Sequence, residues 1–132
     1  MSDAPAPIDP ELVGAFVGKA HGDLEFVRNT LASHPTIVNA AWDWGGGDWE
    51  TALGAAAHMG RKDIAQLLLE NGARIDIFAA AMLGDLQTVK AIVAFDPGSA
   101  THAGPHGIPL TVHAMKGGED AASVLEYLAS LG

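Results

Sequence analysis

The chain has 132 residues, of which 48% are hydrophobic and none is cysteine, and its formal charge is −9. The apolar fraction is too high for a disordered chain, the length suits one domain, and the missing cysteine excludes disulfides, thiol catalysis and cysteine-ligated zinc. The acidic balance argues against nucleic acid, whose backbone requires clustered lysine and arginine.

In chain order, residues 1–8 read as a loose, disordered tail. They have neither the basic nor the apolar stretch of a secretory signal, and no later run approaches the roughly 18 apolar residues that cross a bilayer. No membrane partner and a cytoplasmic location are therefore expected. Asp9-Pro10-Glu11 is an N-cap, a proline at the first helical position and an acid in the first turn. From there the chain alternates short helices rich in small residues with longer amphipathic ones, each pair separated by a glycine: Gly22, Gly60, Gly84 and Gly117. These glycines suit the left-handed conformation that ends a helix, and Asp23 and Asp85 can cap the helix that follows. Apolar residues recur at helical spacing after three of them: Leu24, Phe26, Val27 and Leu31; Ile64, Leu67 and Leu68; Leu86, Val89, Ile92 and Val93. In the fourth unit Val124, Leu125 and Leu128 come about three residues late, which predicts a longer turn through Gly117-Gly118-Glu119-Asp120. His34-Pro35, Asn71-Gly72 and Asp96-Pro97-Gly98 close the second helices of units one, two and three.

The segment Thr51 to Gly60, Thr-Ala-Leu-Gly-Ala-Ala-Ala-His-Met-Gly, followed by Arg61 to Ala73, Arg-Lys-Asp-Ile-Ala-Gln-Leu-Leu-Leu-Glu-Asn-Gly-Ala, resembles one complete ankyrin repeat, with weaker copies on either side. The resemblance implies a mainly α fold: an ankyrin-type solenoid of about four helix-turn-helix repeats joined by hairpin or irregular fingers. It would form a single domain over 9–132, with units of approximately 9–44, 45–74, 75–100 and 101–132. The inter-helix glycines are spaced by 38, 24 and 33 residues, and only the last interval matches the family period of about 33. The first finger is thus enlarged and the third is missing, which predicts a notch floored by the first helices of units two and three. Such solenoids present a concave binding surface, so the resemblance implies a scaffold for protein binding rather than an enzyme.

In the family the two positions before the inter-helix glycine face the concave side. That rule marks Ala20 and His21, His58 and Met59, Met82 and Leu83, and Met115 and Lys116. The methionines and Leu83 would form a soft apolar strip, with Met82 and Leu83 uncovered by the missing finger. The enlarged finger carries Trp42, Trp44 and Trp49 among Asp43, Asp48 and Glu50, with no basic residue between Arg28 and Arg61. Aromatic faces beside carboxylates suit a lysine or arginine side chain, so Trp42, Trp44, Trp49, Asp43 and Asp48 join His58, Met59, Met82, Leu83, Met115 and Lys116 as the expected partner-binding set. At least one tryptophan is expected to fold back on the first helices.

Two other readings stay open. His102, His106, His113 and His58 could ligate a divalent metal in a small-molecule or metal binder, or serve an undetected enzyme, but their spacing is unspecific and no His-Glu-x-x-His helix exists. Alternatively, exposed Met82 and Leu83 could bury each other in a homodimer, weak or otherwise. There is no Gly-x-Ser-x-Gly elbow, and Gly45-Gly46-Gly47 lacks the lysine of a phosphate loop. No catalytic residue, cofactor or metal ligand set is expected, and the partner is a protein or peptide with basic or apolar side chains. Few lysines among many alanines and glycines point to a GC-rich bacterial genome.

Overall fold

The structure, a computed structural model, describes residues 4–132. Of the tail, residues 1–3 lie outside the described residues; Ile8, at its other end, packs against the core. Four helix pairs follow: α1 (Pro10–Lys19) with α2 (Leu24–Ser33), α3 (Ala52–His58) with α4 (Lys62–Glu70), α5 (Ile77–Leu83) with α6 (Leu86–Phe95), and α7 (Leu110–Lys116) with α8 (Ala122–Leu131). The first helices stack side by side in the order α1, α3, α5, α7. Their sequences explain this: Ala52 to Ala57 in α3 and Ala79 to Met82 in α5 are all buried, and small side chains let helix axes approach closely. The longer helices pack one apolar stripe each against this inner row.

The helix boundaries follow local chemistry. Asp9, Asp23, Thr51, Asp76 and Asp85 each accept a hydrogen bond from a backbone N–H in the first turn of the helix they precede. His34-Pro35 and Asp96-Pro97 end α2 and α6 in short 3₁₀ turns, as expected. Gly60 and Gly84 take the left-handed conformation, but Gly22 and Gly117 do not. Gly117 has φ −75°, and its neighbour Gly118 makes the left-handed turn. A side chain is excluded at Gly117 for another reason: a Cβ there would collide with the Met82 carbonyl oxygen.

Between the first two pairs stands a finger, an antiparallel hairpin of β1 (Ala41–Asp43) and β2 (Trp49–Thr51) in which Trp42 pairs with Glu50 and Asp43 with Trp49. Between α4 and α5 there is no finger. The side chain of Asn39 takes over part of its role, donating to the Gly72 carbonyl at 3.0 Å and accepting from the Arg74 N–H at 2.9 Å. The expected notch is not open at its floor. The α7–α8 turn sits on the end of α5, Lys62 donates to the Gly117 carbonyl and pairs with Asp120, and Met82 is fully buried.

Candidate functional site: a buried carboxylate ringed by histidines

Strand alternation places Trp42 and Trp44 on one face of the finger, and that face lies against α1. Two residues along a strand span about 6.6 Å and four along a helix about 6 Å, so the two rings meet Gly14 and Gly18, one helical turn apart. A Cβ at Gly14 would stand 3.1 Å from the Trp42 ring, and one at Gly18 would stand 3.7 Å from that of Trp44. The expectation that at least one tryptophan folds back thus holds for Trp42, which is half-buried. Trp44 keeps an exposed edge, while its indole N–H donates to Glu50 Oε1 at 3.0 Å.

Glu50, on the same face, is buried, and three imidazoles surround it. His21 follows α1 and brings Nε2 within 3.2 Å of Oε1. His58, the last residue of α3, brings Nε2 within 3.0 Å of Oε2, and His106 brings Nε2 within 3.2 Å of the same oxygen. His106 arrives from the loop before α7, some fifty residues further along. That loop leans across the place of the missing finger: Gly104 rests on the Phe78 ring and Pro105 reaches Gly54. Asp48 anchors it, accepting from the His106 backbone N–H at 2.8 Å and from its ring Nδ1 at 2.7 Å. His106 is the one non-glycine residue at positive φ, +60°, among the described residues.

The electrostatics follow from this packing. Burial pushes the Glu50 carboxyl up, but the His58 ring, the charge of His21 and the Trp44 N–H together hold it below the ordinary glutamate range. Burial alone would lower His106; the hydrogen bond to Asp48 and the charges of Glu50 and Asp48 raise it instead. His113 is different. It is fully buried, bonds through Nδ1 to the Pro109 carbonyl at 2.9 Å, lies against Phe78, and is pushed down by burial.

A histidine raised on folding stabilises the folded state below its unfolded value of about 6.5 and loses that contribution as pH rises through the folded value. Asp48→Asn removes the largest cause that raises His106. In the presence of a chelator, the gap in melting temperature between the wild type and Asp48→Asn should be widest near pH 6 and shrink toward pH 8. A gap independent of pH would show that Asp48 acts on His106 only through the backbone.

Not every expected site residue joins this group. His58 does, and Asp48 supports it. Asp43 instead accepts from the N–H groups of Gly45 and Gly47 and so shapes the fingertip. Trp49 points the other way, 60% exposed on the opposite face of the hairpin, and Met59 and Met115 are also exposed. Lys116 is exposed beside Met115. Met82 and Leu83 depart from expectation. Met82 is fully buried, with the α7–α8 turn against its backbone where the absent finger leaves a gap, and Leu83 is half-buried against the core of the first two helix pairs. Met82 therefore offers no exposed surface for the homodimer considered above. His102 is exposed and lies apart from the ring of histidines. The residues missed in the sequence are Glu50 as the centre and His21 as a member. His21 and His58 stand one and two residues before the inter-helix glycines of successive units, both on the expected concave side, and that shared side was the available signal.

The group His21, Glu50, His58 and His106 offers four donor atoms within 4.8 Å of one another, three imidazole nitrogens and a carboxylate oxygen, so these are the residues that could hold a metal ion. No helix among the described residues is long and apolar enough to cross a membrane. No curated protein and no solved structure matches the chain significantly. The family model for the ankyrin repeat matches residues 48–79, from Asp48 in the finger through α3 and α4 into α5. With that repeat at the centre of four stacked helix pairs, the chain contains an ankyrin repeat within a helical solenoid fold.

Proposed function

We propose that this protein is a non-catalytic interaction module that binds a peptide segment with apolar and basic side chains through its finger and concave surface. Ankyrin repeats are generally protein–protein interaction modules, and the observation that carries the reading here is the exposed apolar set on an acidic chain. Trp49 stands 60% exposed and Met115 63% exposed, with Met59 and the edge of Trp44 also open, on a protein of net charge −9. Below Trp49 lies a cleft of about 360 Å³ lined by Ile8, Pro10, Val13, Ala41, Trp42 and Asp43. Its walls are apolar and its rim carries one carboxylate, which suits an aliphatic side chain followed by a lysine or arginine over the Trp49 face.

The test is selection from a displayed peptide library, with binding of the enriched peptides then measured against wild type, Trp49→Ala and Met115→Asp. Both side chains are exposed, so neither substitution disturbs the core. Loss of a central aromatic anchor is worth about 2 kcal/mol, roughly 30-fold in affinity. Enriched peptides rich in apolar and basic residues that lose about that much on Trp49→Ala support the reading. Peptides that bind all three proteins equally would place recognition elsewhere.

A further inference from the structure

We propose that His21, His58, His106 and Glu50 form a binding site for a single zinc-type divalent transition-metal cation, which clasps the first, second and fourth helix pairs together. The argument starts from hydrogen-bond inventory. A backbone carbonyl only accepts, so His21 Nδ1, 2.9 Å from the Gly18 oxygen, carries a proton. His106 Nδ1, 2.7 Å from Asp48 Oδ2, carries one for the same reason. In the neutral imidazole the Nε2 of each ring is then a lone pair, and both lone pairs face the carboxylate of Glu50 at 3.2 Å. Acceptor facing acceptor calls for something positive between them, either protons on the rings or one cation shared by them. Protonating all three rings is a poor answer, because their centroids are only 4.9 to 6.2 Å apart and three imidazoliums would repel one another.

A second observation points the same way. Glu50 Oε2 and His58 Nε2 are buried and 3.0 Å apart, yet neither makes an aligned hydrogen bond with any group. Buried polar atoms are rarely left so. A cation bound by both atoms satisfies both. The distances are near what an ion needs: around a tetrahedral ion with bonds of about 2.05 Å the donors stand about 3.3 Å apart. His58 and His106 stand 3.0 and 3.2 Å from Oε2 and His21 3.2 Å from Oε1. One donor atom from each of the four residues lies within 4.8 Å of the others, so that the rings need only draw in around the ion. Three imidazoles with one carboxylate are borderline donors of the zinc class, not the all-oxygen set that magnesium or calcium requires. Four protein donors also describe a closed, structural site.

The surroundings are those of a metal centre. The non-ligating nitrogens of His21 and His106 each donate to a carbonyl or carboxylate, and Trp44 N–H donates to the ligating carboxylate, which fixes ring orientation and tautomer. His106 is held at positive φ by Asp48, a strained conformation of the kind that accumulates at functional positions.

The test uses the full chain stripped with a chelator, titrated with zinc by calorimetry and weighed by native mass spectrometry. One zinc ion per chain and a higher melting temperature are expected. His58→Ala combined with His106→Ala should weaken binding at least 100-fold, and Asp48→Asn, which removes no ligand, 10- to 100-fold. His102→Ala should leave binding unchanged. Because the double variant could fail to fold, cobalt bound to the wild type supplies an independent reading: intense visible bands indicate four-coordination. Failure of the wild type to take up zinc, zinc uptake indifferent to Asp48→Asn in folded protein, or the weak spectrum of octahedral cobalt would each overturn the proposal.

Discussion

Replacing Gly84 by alanine should destabilise the protein by about 3 kcal/mol or more, whereas the same change at Gly72 should cost about 1 kcal/mol. Both residues sit in the left-handed half of conformational space, with φ +76° and +96°. An alanine pays the same backbone penalty at either, on the order of 1–2 kcal/mol at most. The difference lies in the space around them. Nothing stands within 4 Å of where a Cβ would be at Gly72, but at Gly84 that Cβ would stand 2.0 Å from the Asp120 carbonyl oxygen, far inside the 3.0 Å that real Cβ atoms keep. Backbone, not a flexible side chain, must move. The segment that would have to give is the α7–α8 turn, tied to α4 by Lys62 and covering Met82. Overpacking against such a segment adds about 1–3 kcal/mol. For a domain whose whole stability is about 5–15 kcal/mol, Gly84→Ala removes a large share. Urea denaturation at fixed pH measures both variants; equal losses would mean that the α7–α8 turn does not bear on α5 as described.

The position of Gly84 was readable in the sequence, and so was most of the solenoid. Apolar residues at helical spacing, the caps at Asp9, Asp23 and Asp85, and the prolines after His34 and Asp96 are local signals, and the helices they announce are there. The missing third finger could be read from the 24-residue interval between Gly60 and Gly84. Its consequence could not. An open gap leaves Met82 exposed only if nothing moves in, and two segments do: the α7–α8 turn from one end and the loop carrying His106 from the other. Late apolar residues in the fourth unit did announce the longer turn, but not where it would pack. The ring around Glu50 was hidden for the same reason. Its members are separated by as many as 85 residues, from His21 to His106, so no spacing rule reports it. Only the stacking of helix pairs, with one finger absent, brings them to a common carboxylate. The finger itself was half legible. Alternation put Trp42 and Trp44 on one face, but which face lay inward depended on Gly14 and Gly18, whose role as sockets appears only when α1 and the finger are seen together.

Glu50→Ala should cost about 3–5 kcal/mol, the range for removing one partner of a buried charge cluster. The loss exceeds that of a buried apolar contact because of what stays behind. The Trp44 N–H loses its acceptor, and the Nε2 atoms of His21, His58 and His106 are left facing one another across the space the carboxylate filled. Neighbours of like character, with ring centroids as near as 4.9 Å, must then share whatever protons remain without a counter-charge. Glu50→Gln separates charge from shape. Its amide oxygen still accepts from Trp44, and its NH₂ can donate to the lone pair of a neutral His58 or His106, so the loss should fall to about 1–2 kcal/mol. Glu50→Leu keeps the volume without either function and should resemble alanine. Ordering of the three variants is therefore diagnostic: alanine and leucine severe, glutamine mild. If all three unfold at the urea concentration of the wild type, the carboxylate has no structural part in joining the finger to α1, α3 and the His106 loop. If glutamine is as damaging as alanine, charge rather than hydrogen bonding holds the ring together.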